Sequence, residues 1–137
     1  MEITKTYLLD LVYKVNGAAI EVHKTLGPGL LESVYHKCMA KELSLRNINY
    51  MSEYKIPYSY KGIDLDIELR CDFIIEENLV VELKSVEYLL PVHKAQLLTY
   101  MKLLNVPKGL LLNFNVTNLF KEGQSTFVNE IFRDLPE

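Results

Sequence analysis

The sequence predicts a mixed α/β domain in the order helix, helix, three strands, helix, strand (ααβββαβ). Three observations predict this class. Apolar residues recur with a helical period in the first third of the chain, a period of two follows, and a nearly continuous apolar run comes after a third helical segment. Strand, helix and apolar strand in succession indicate a parallel crossover, which we expect to be right-handed with its last strand inside the sheet.

A glycine- and proline-rich stop separates the two N-terminal helices. The first is expected from about Thr6 to Leu26, and Gly27-Pro28-Gly29 ends it. The second is expected from about Leu30 to Arg46, with Asn47 as its terminator. Its apolar positions include Leu31, Val34, Cys38 and Leu45.

Three strands are expected next, as an antiparallel meander. The first begins at about Glu53, and Pro57 places it at a sheet edge because proline cannot donate to a ladder. The second covers roughly Ile63 to Ile75, and the third roughly Leu79 to Val86.

The C-terminal third contains the third helix and the apolar strand. Pro91 opens a helix that runs to about Leu104, and the apolar run KGLLLNFN (residues 108–115) follows. The tail, residues 126–133, fits either a short strand or a final helix.

Length and composition limit the class of protein. The 137 residues fit one domain, and 49% hydrophobic with 24% charged residues is typical of a globular protein. The net charge of −3 predicts no general attraction to polyanions. No apolar run approaches the roughly 20 residues that cross a bilayer, so we expect no membrane partner and a cytoplasmic location. Cys38 and Cys71 are too few for a disulfide scaffold or a four-cysteine metal site.

The stretch LVVELKS (residues 79–85) carries charged residues in a strand that should be apolar. Side chains alternate along a strand, so Glu82 and Lys84 share one face with Val80. On the strand before it, Asp72 lies on the face opposite to an apolar set made of Cys71, Phe73 and Ile75.

The connection between these strands predicts which residues meet. If Glu76-Glu77-Asn78 is a hairpin loop with Asn78 in the left-handed conformation, Ile75 pairs with Leu79 and Asp72 pairs with Glu82. Opposed residues have Cβ atoms about 5 Å apart, and like charges placed there repel, so a divalent cation between the two carboxylates is expected. Lys84 lies about 6.6 Å further along the same face, where it can orient or deprotonate a water. The alternative is a partly exposed face with an incidental ion pair.

Two helices present further polar groups. His93, Gln96 and Tyr100 form one stripe of the third helix, which we expect to face a polar cleft because a buried amide and phenol need partners. A structural network is the alternative for this stripe, and His93 alone is more typical of a helix cap than of a ligand. Glu32 opens the second helix, where an acid also complements the helix dipole.

These motifs resemble the PD-(D/E)xK nuclease superfamily and, within it, the bacterial and archaeal GxxExxY proteins. GLLESVY (residues 29–35) carries the GxxExxY pattern. Asp72 followed by Glu82-Leu83-Lys84 is similar to the active-site strands, and QLLTY (residues 96–100) is similar to the QxxxY motif. The resemblance covers about residues 22–115 and implies a restriction-endonuclease-like fold, a mixed β-sheet flanked by helices.

The resemblance also implies roles, with a catalytic set of Glu32, Asp72, Glu82 and Lys84. Asp72 and Glu82 would bind Mg²⁺ or Mn²⁺, with the backbone carbonyl of Leu83 and the carboxylate of Glu32 as further candidate ligands. Lys84 would assist the attacking water. Gln96 and Tyr100, with His93 as a weaker candidate, would contact the metal shell or the nucleic-acid backbone. Cys71 stands where the motif has proline, a position that the superfamily varies. The cysteines that hold an iron–sulfur cluster in some relatives are missing, so we expect no cluster.

Three functional hypotheses follow. The first is a metal-dependent nuclease that hydrolyses phosphodiester bonds, with DNA favoured over RNA although the residues do not distinguish the two. The second is a non-catalytic nucleic-acid-binding or assembly module that retains the nuclease fold. The third is a homodimer formed through the edge strand and its tyrosines, Tyr54, Tyr58 and Tyr60.

Overall fold

The computed structural model describes residues 2–64 and 66–137. The helices are α1 (Lys5–Leu26), α2 (Glu32–Leu45), α3 (Pro91–Leu104) and α4 (Glu130–Arg133). The strands are β1 (Tyr50–Ile56), β2 (Leu69–Ile75), β3 (Leu79–Lys84), β4 (Lys108–Asn113) and β5 (Gln124–Val128). A single π-helical turn, Leu119–Gly123, precedes β5. The predicted order of elements is confirmed, and the tail adds both a strand and a short helix.

The strands form one mixed sheet in the order β1-β2-β3-β4-β5. The first three are an antiparallel meander, as predicted. β4 runs parallel to β3, with α3 between them in the chain, and β5 returns antiparallel on its other side. Every residue of β4 is buried, which confirms that the apolar run lies inside the sheet.

Helices cover both faces of this sheet. α1 and α2 pack on one face against Phe73, Val81 and Leu83. α3 packs on the other face against Val80 and Leu111. The sheet is therefore the middle layer of an α/β sandwich, which confirms the predicted fold class.

The buried side of α2 differs from the apolar positions that the sequence suggests. Its fully buried residues are Tyr35, Met39 and Leu43. Of the predicted positions, only Cys38 is half-buried, whereas Leu31, Val34 and Leu45 are exposed. Apolar residues lie on more than one side of α2, and the ones that face the core are Tyr35, Met39 and Leu43, at steps of four residues.

The first two strands have other bounds than predicted. β1 begins at Tyr50 and ends before Pro57, at the edge of the sheet as predicted. β2 begins at Leu69 rather than at Ile63. Between them the chain makes a turn at Lys61-Gly62 with one bridge from Tyr60 to Ile63. Leu65, which the predicted second strand included, lies outside the described residues.

The edge tyrosines are less exposed than the dimer hypothesis requires. Tyr54 is half-buried against the α3 side of the core, and Tyr58 is half-buried with its hydroxyl donating to the Ile67 carbonyl at 2.6 Å. Tyr60 alone of the three is exposed. The expectation of three exposed tyrosines was therefore wrong.

The hairpin between β2 and β3 has a tighter turn than predicted. Glu76 and Glu77 adopt left-handed conformations, with φ of 50° and 62°, whereas Asn78 does not. The Asn78 amide donates to the Ile75 carbonyl at 3.0 Å, which closes a two-residue turn. A left-handed backbone at both central positions matches the twist of paired strands. The predicted strand register is therefore correct, although the prediction that Asn78 is left-handed was wrong.

Alternation along β2 is irregular near Asp72. Cys71 packs with Ile74 on the α3 side of the sheet, not with Phe73 on the α1–α2 side as predicted. Glu53, in the part of β1 beside Asp72, has a left-handed backbone with φ of 49°. A left-handed residue interrupts the regular pleat, so side-chain alternation does not continue through this point.

Within residues 2–64 and 66–137, no helix combines the length and the apolar character that crossing a bilayer requires.

Candidate active site

Two carboxylates lie where the β2–β3 ladder opens. The ladder has the predicted register, with Ile75 opposite Leu79, and its last regular pair is Phe73 with Val81. At the next position, that of Asp72 and Glu82, backbone amides donate to side-chain carboxylates instead of to backbone carbonyls. The Asp72 amide donates to Glu82 Oε2 at 3.4 Å.

A second, shorter hydrogen bond joins the same two strands, with its donor on β3 and its acceptor on β2. The Leu83 amide donates to Asp72 Oδ2 at 2.7 Å, a length typical of a charge-assisted bond. Each carboxylate therefore accepts a hydrogen bond from the strand that carries the other. This holds the pair together in the plane of the sheet.

Glu82 is buried in this cluster, with a relative exposure of 4%. Burial is the largest cause that raises its pKa, followed by the hydrogen bond to Asp72 and the negative charge of Asp72. The charge of the Lys84 ammonium offsets only part of this increase, so the pKa of Glu82 is raised to about 10. In the metal-free protein, Glu82 therefore holds a proton at neutral pH.

Glu32 and Lys84 complete the predicted cluster from two different elements. Lys84 is the last residue of β3, and Glu32 is the first residue of α2. Burial raises the pKa of Glu32, the Lys84 charge opposes this, and the Asp72 charge adds to it. The mutual influence of these groups means that the structure brings all four predicted catalytic residues to one place.

An open cleft of about 610 Å³ leads to Asp72 from the α2 side. Its walls come from α2 and β1, and its lining includes Glu32, His36, Lys37, Ser52 and Asp72. A second cleft, of about 630 Å³, lies between α1 and the α2–β1 connection. Among the described residues, its lining includes none of the four predicted catalytic residues, so we assign the chemistry to the first cleft.

His36 is a site residue that the sequence reasoning left without a partner. Its Nδ1 lies 3.7 Å from Asp72 Oδ1, and its Nε2 bonds to Ser52 Oγ at 2.7 Å. The ring stacks on Phe73 with centroids 4.4 Å apart. The available signal was its position four residues after Glu32, which places both on one side of a helix.

The polar stripe of α3 divides into three different environments. Tyr100 is buried on the α3 side of the core, in one cluster with Cys71 and Val80, and its pKa is raised first by burial and then by the charge of Glu82. Gln96 is exposed, which does not fit the predicted burial of its amide. His93 Nδ1 accepts a hydrogen bond from the Leu90 amide at 3.0 Å, the cap that the sequence left open as its alternative role.

The donor set suits a hard divalent cation with a partly aqueous shell. Asp72 and Glu82 offer carboxylate oxygens, the ligand type that Mg²⁺ prefers, and Mg²⁺ is usually held by one or two carboxylates with waters. In the described part of the chain, no three histidine, cysteine, aspartate or glutamate side chains converge as a complete cage. The cluster therefore fits a cation that keeps waters, and it does not fit a closed structural site.

Cys71 borders the carboxylates without chemical activity of its own. It is buried, and burial together with the charge of Glu82 raises the pKa of its thiol to about 12. A thiol that keeps its proton is a poor nucleophile and a poor metal ligand.

Comparison with known proteins gives one match. The family model described as the PD-(D/E)XK nuclease superfamily matches residues 9–126, most of the chain. The matched range includes both carboxylates and Lys84. Searches of curated proteins and of solved structures gave no match.

Proposed function

Because the chain belongs to the PD-(D/E)XK nuclease superfamily, we propose that it hydrolyses phosphodiester bonds of nucleic acid, with DNA favoured, using Mg²⁺ or Mn²⁺. The observation that carries this proposal is the pair of carboxylates, Asp72 and Glu82, joined across the open end of a ladder, with Asp72 lining the cleft beside α2. Gly29, Glu32 and Tyr35 support the finer assignment to the GxxExxY group.

The proposed roles of the residues are those that the resemblance implies, and their positions in the structure support them. Asp72 and Glu82 would hold the cation, with the Leu83 carbonyl as a third candidate ligand next to them. A divalent cation bound there would supply charge stabilisation at the phosphate and a nucleophilic water. Lys84, at the end of the same strand, would orient the attacking water, and Glu32 would accept a hydrogen bond from it. Tyr100 is buried on the α3 side of the core and would support the carboxylates from there.

Gln96 is the candidate for substrate contact, although it is not among the residues that line the cleft beside α2. Gln96 is exposed on α3, where its amide can donate to a phosphate oxygen without losing a buried partner. With a net charge of −3, we expect weak binding of nucleic acid by the isolated monomer and a dependence on a partner or multimer for affinity.

The experiment is a calorimetric titration of Mn²⁺ and Mg²⁺ into wild type and Asp72→Asn, followed by cleavage assays on labelled single- and double-stranded DNA and RNA. Glu77→Gln is a matched control, because Glu77 is an exposed acid of the same hairpin. We expect metal binding and cleavage to be lost in Asp72→Asn and retained in Glu77→Gln. Cleavage that persists in Asp72→Asn would contradict the proposal.

The alternative is the second hypothesis, a non-catalytic module that binds nucleic acid or assembles with itself. This hypothesis predicts nucleic-acid binding or concentration-dependent self-association with no metal binding at any pH. Light scattering, and metal titration repeated with nucleic acid present, separate the two hypotheses.

A further inference from the structure

The loop between α1 and α2, residues 27–31, directly precedes Glu32 and so determines where Glu32 lies. Its own sequence does little to fix its conformation. Gly27 and Gly29 have positive φ, 74° and 94°, so the backbone has a path that few side chains tolerate. Leu31 precedes α2 in an extended conformation, and in the described part of the chain no side chain caps the helix there. Something other than a helix cap must fix the start of α2.

Tyr35 holds this loop from inside the core. Its hydroxyl donates to the Gly27 carbonyl at 2.5 Å and accepts from the Leu30 amide at 3.2 Å. The side chain is fully buried, and its ring stacks on Phe114 with centroids 4.5 Å apart and an angle of 12°. One hydroxyl therefore fixes both ends of the loop against a rigid core.

Ser85 holds the same loop from the other side. Its hydroxyl donates to the Leu30 carbonyl at 2.6 Å. Leu30 is thereby fixed at both its amide and its carbonyl, by two residues from different elements.

Both tethers lead to the end of β3. Ser85 directly follows Lys84 in the chain. Phe114, on which Tyr35 stacks, donates its amide to the Lys84 carbonyl at 2.9 Å. Because Glu32 comes two residues after Leu30, its distance from Lys84 is set by these contacts.

We propose that Tyr35 and Ser85 are positioning residues whose hydroxyls clamp Leu30 and thereby hold Glu32 toward Lys84 and Asp72. This inference rests on the proposed nuclease function. It also gives a physical meaning to the spacing in GLLESVY: Gly29 permits the turn, Glu32 is presented to the cleft, and Tyr35, one helical turn later, fixes the loop that presents it.

The first measurement of the test is independent of activity. Tyr35→Phe removes both bonds of the hydroxyl and keeps the stacked ring, and Ser85→Ala removes the other tether. We expect the Leu30 amide to exchange with solvent at least about tenfold faster in Tyr35→Phe. Tyr58→Phe is a matched control, because its hydroxyl also donates to a backbone carbonyl but in the 57–68 connection. An unchanged exchange rate at Leu30 would overturn the clamp.

The second measurement asks whether the clamp acts through Glu32. We expect Tyr35→Phe and Ser85→Ala each to lower kcat about tenfold in the wild-type background and to have little further effect in Glu32→Gln. An equal fall in both backgrounds would overturn the positioning role and leave a structural one. A wild-type protein that cleaves no substrate and binds no metal would overturn the nuclease function itself. In that case, the rate of hydrogen exchange at the Leu30 amide would still test whether Tyr35 holds the loop.

Discussion

Asp72 and Glu82 hold each other's strands: the Asp72 amide donates to Glu82, and Asp72 accepts from the amide that follows Glu82, that of Leu83. Two neighbouring carboxylates, of which Glu82 is buried, cannot both carry a charge at low cost, so Glu82 keeps its proton. A divalent cation bound by the pair would replace that proton. The first two predictions test this exchange.

The first prediction concerns the stability of Glu82→Gln. A carboxyl whose pKa is raised from 4.5 to about 10 on folding binds its proton more tightly in the folded state. The free energy of unfolding of wild type should therefore fall as pH rises through that interval, whereas the variant lacks this fall. We expect Glu82→Gln to be as stable as wild type near pH 4.5 and more stable at pH 7, by up to about 3 kcal/mol.

Urea denaturation in the presence of EDTA at several pH values measures this difference. Glu77→Gln, in the exposed turn, should follow wild type at each pH. A loss of roughly 3–5 kcal/mol in Glu82→Gln would instead indicate that Glu82 forms a structural ion pair with Lys84.

The second prediction is that metal binding releases a proton. Since the pKa of Glu82 is near 10 without metal, a bound cation at pH 7 must displace about one proton from the pair. Affinity for Mn²⁺ should rise about tenfold for each pH unit between 6 and 8. Calorimetry in two buffers with different ionisation enthalpies counts the protons released on binding. An affinity that does not depend on pH would contradict the prediction that Glu82 holds a proton in the metal-free protein.

Much of this site could be predicted because it depends on local rules. Pro91 sets φ for a first helical turn and Asn105 adopts a left-handed conformation at the end, so the bounds of α3 were predicted to the residue. Likewise, a short loop sets the pairing of Ile75 with Leu79, and this register brings Asp72 close to Glu82 although the alternation of β2 is irregular there.

Contacts between distant elements could not be predicted in the same way. The contact of His36 with Asp72 and the hydrogen bonds of Tyr35 depend on how α2 lies across the sheet. The apolar residues of α2 did not indicate which of its sides faces the sheet. Cys71 lies on the α3 side where the alternation of β2 breaks, beside the left-handed Glu53 of β1, and glutamate carries no sequence signal for that conformation.

The third prediction separates Gln96 and Tyr100 of QLLTY by their environments. Gln96 is exposed, so Gln96→Ala should raise KM for nucleic acid and leave the affinity for Mn²⁺ unchanged. Tyr100 is buried and the charge of Glu82 raises its pKa, so Tyr100→Phe should weaken metal binding by roughly 10-fold. Metal titration and steady-state kinetics on both variants check this division, which fails if both variants change the same quantity.

The fourth prediction concerns His36. Its ring lies between Phe73, Ser52 and Asp72 and restricts the Asp72 carboxylate. We expect His36→Ala to lower the affinity for Mn²⁺ by about 10-fold, the lower end of the range for residues that orient a ligand. His23→Ala is the control, since His23 is buried but bonds to the Val116 carbonyl at 2.8 Å. That control should lower stability and leave metal affinity unchanged, and equal effects on affinity would sink the assignment.

The fifth prediction tests how the end of β3 is supported. Asn113 is buried, accepts from the Val86 amide at 3.1 Å and donates to the Val86 carbonyl at 3.0 Å. Asn113→Ala leaves both backbone groups without that partner, so we expect a loss of roughly 2–4 kcal/mol in the free energy of unfolding. Asn49→Ala, at an exposed asparagine, should cost less than about 0.5 kcal/mol.

The same substitution should also affect the site, because Val86 follows Lys84 by only two residues. Release of this segment would loosen Lys84 and Ser85 together, so kcat should fall at temperatures where Asn113→Ala is still fully folded. Thermal unfolding and cleavage measured on the same samples separate the two effects. A variant that loses stability but keeps the kcat of wild type would show that β4, rather than the segment after β3, holds Lys84 in place.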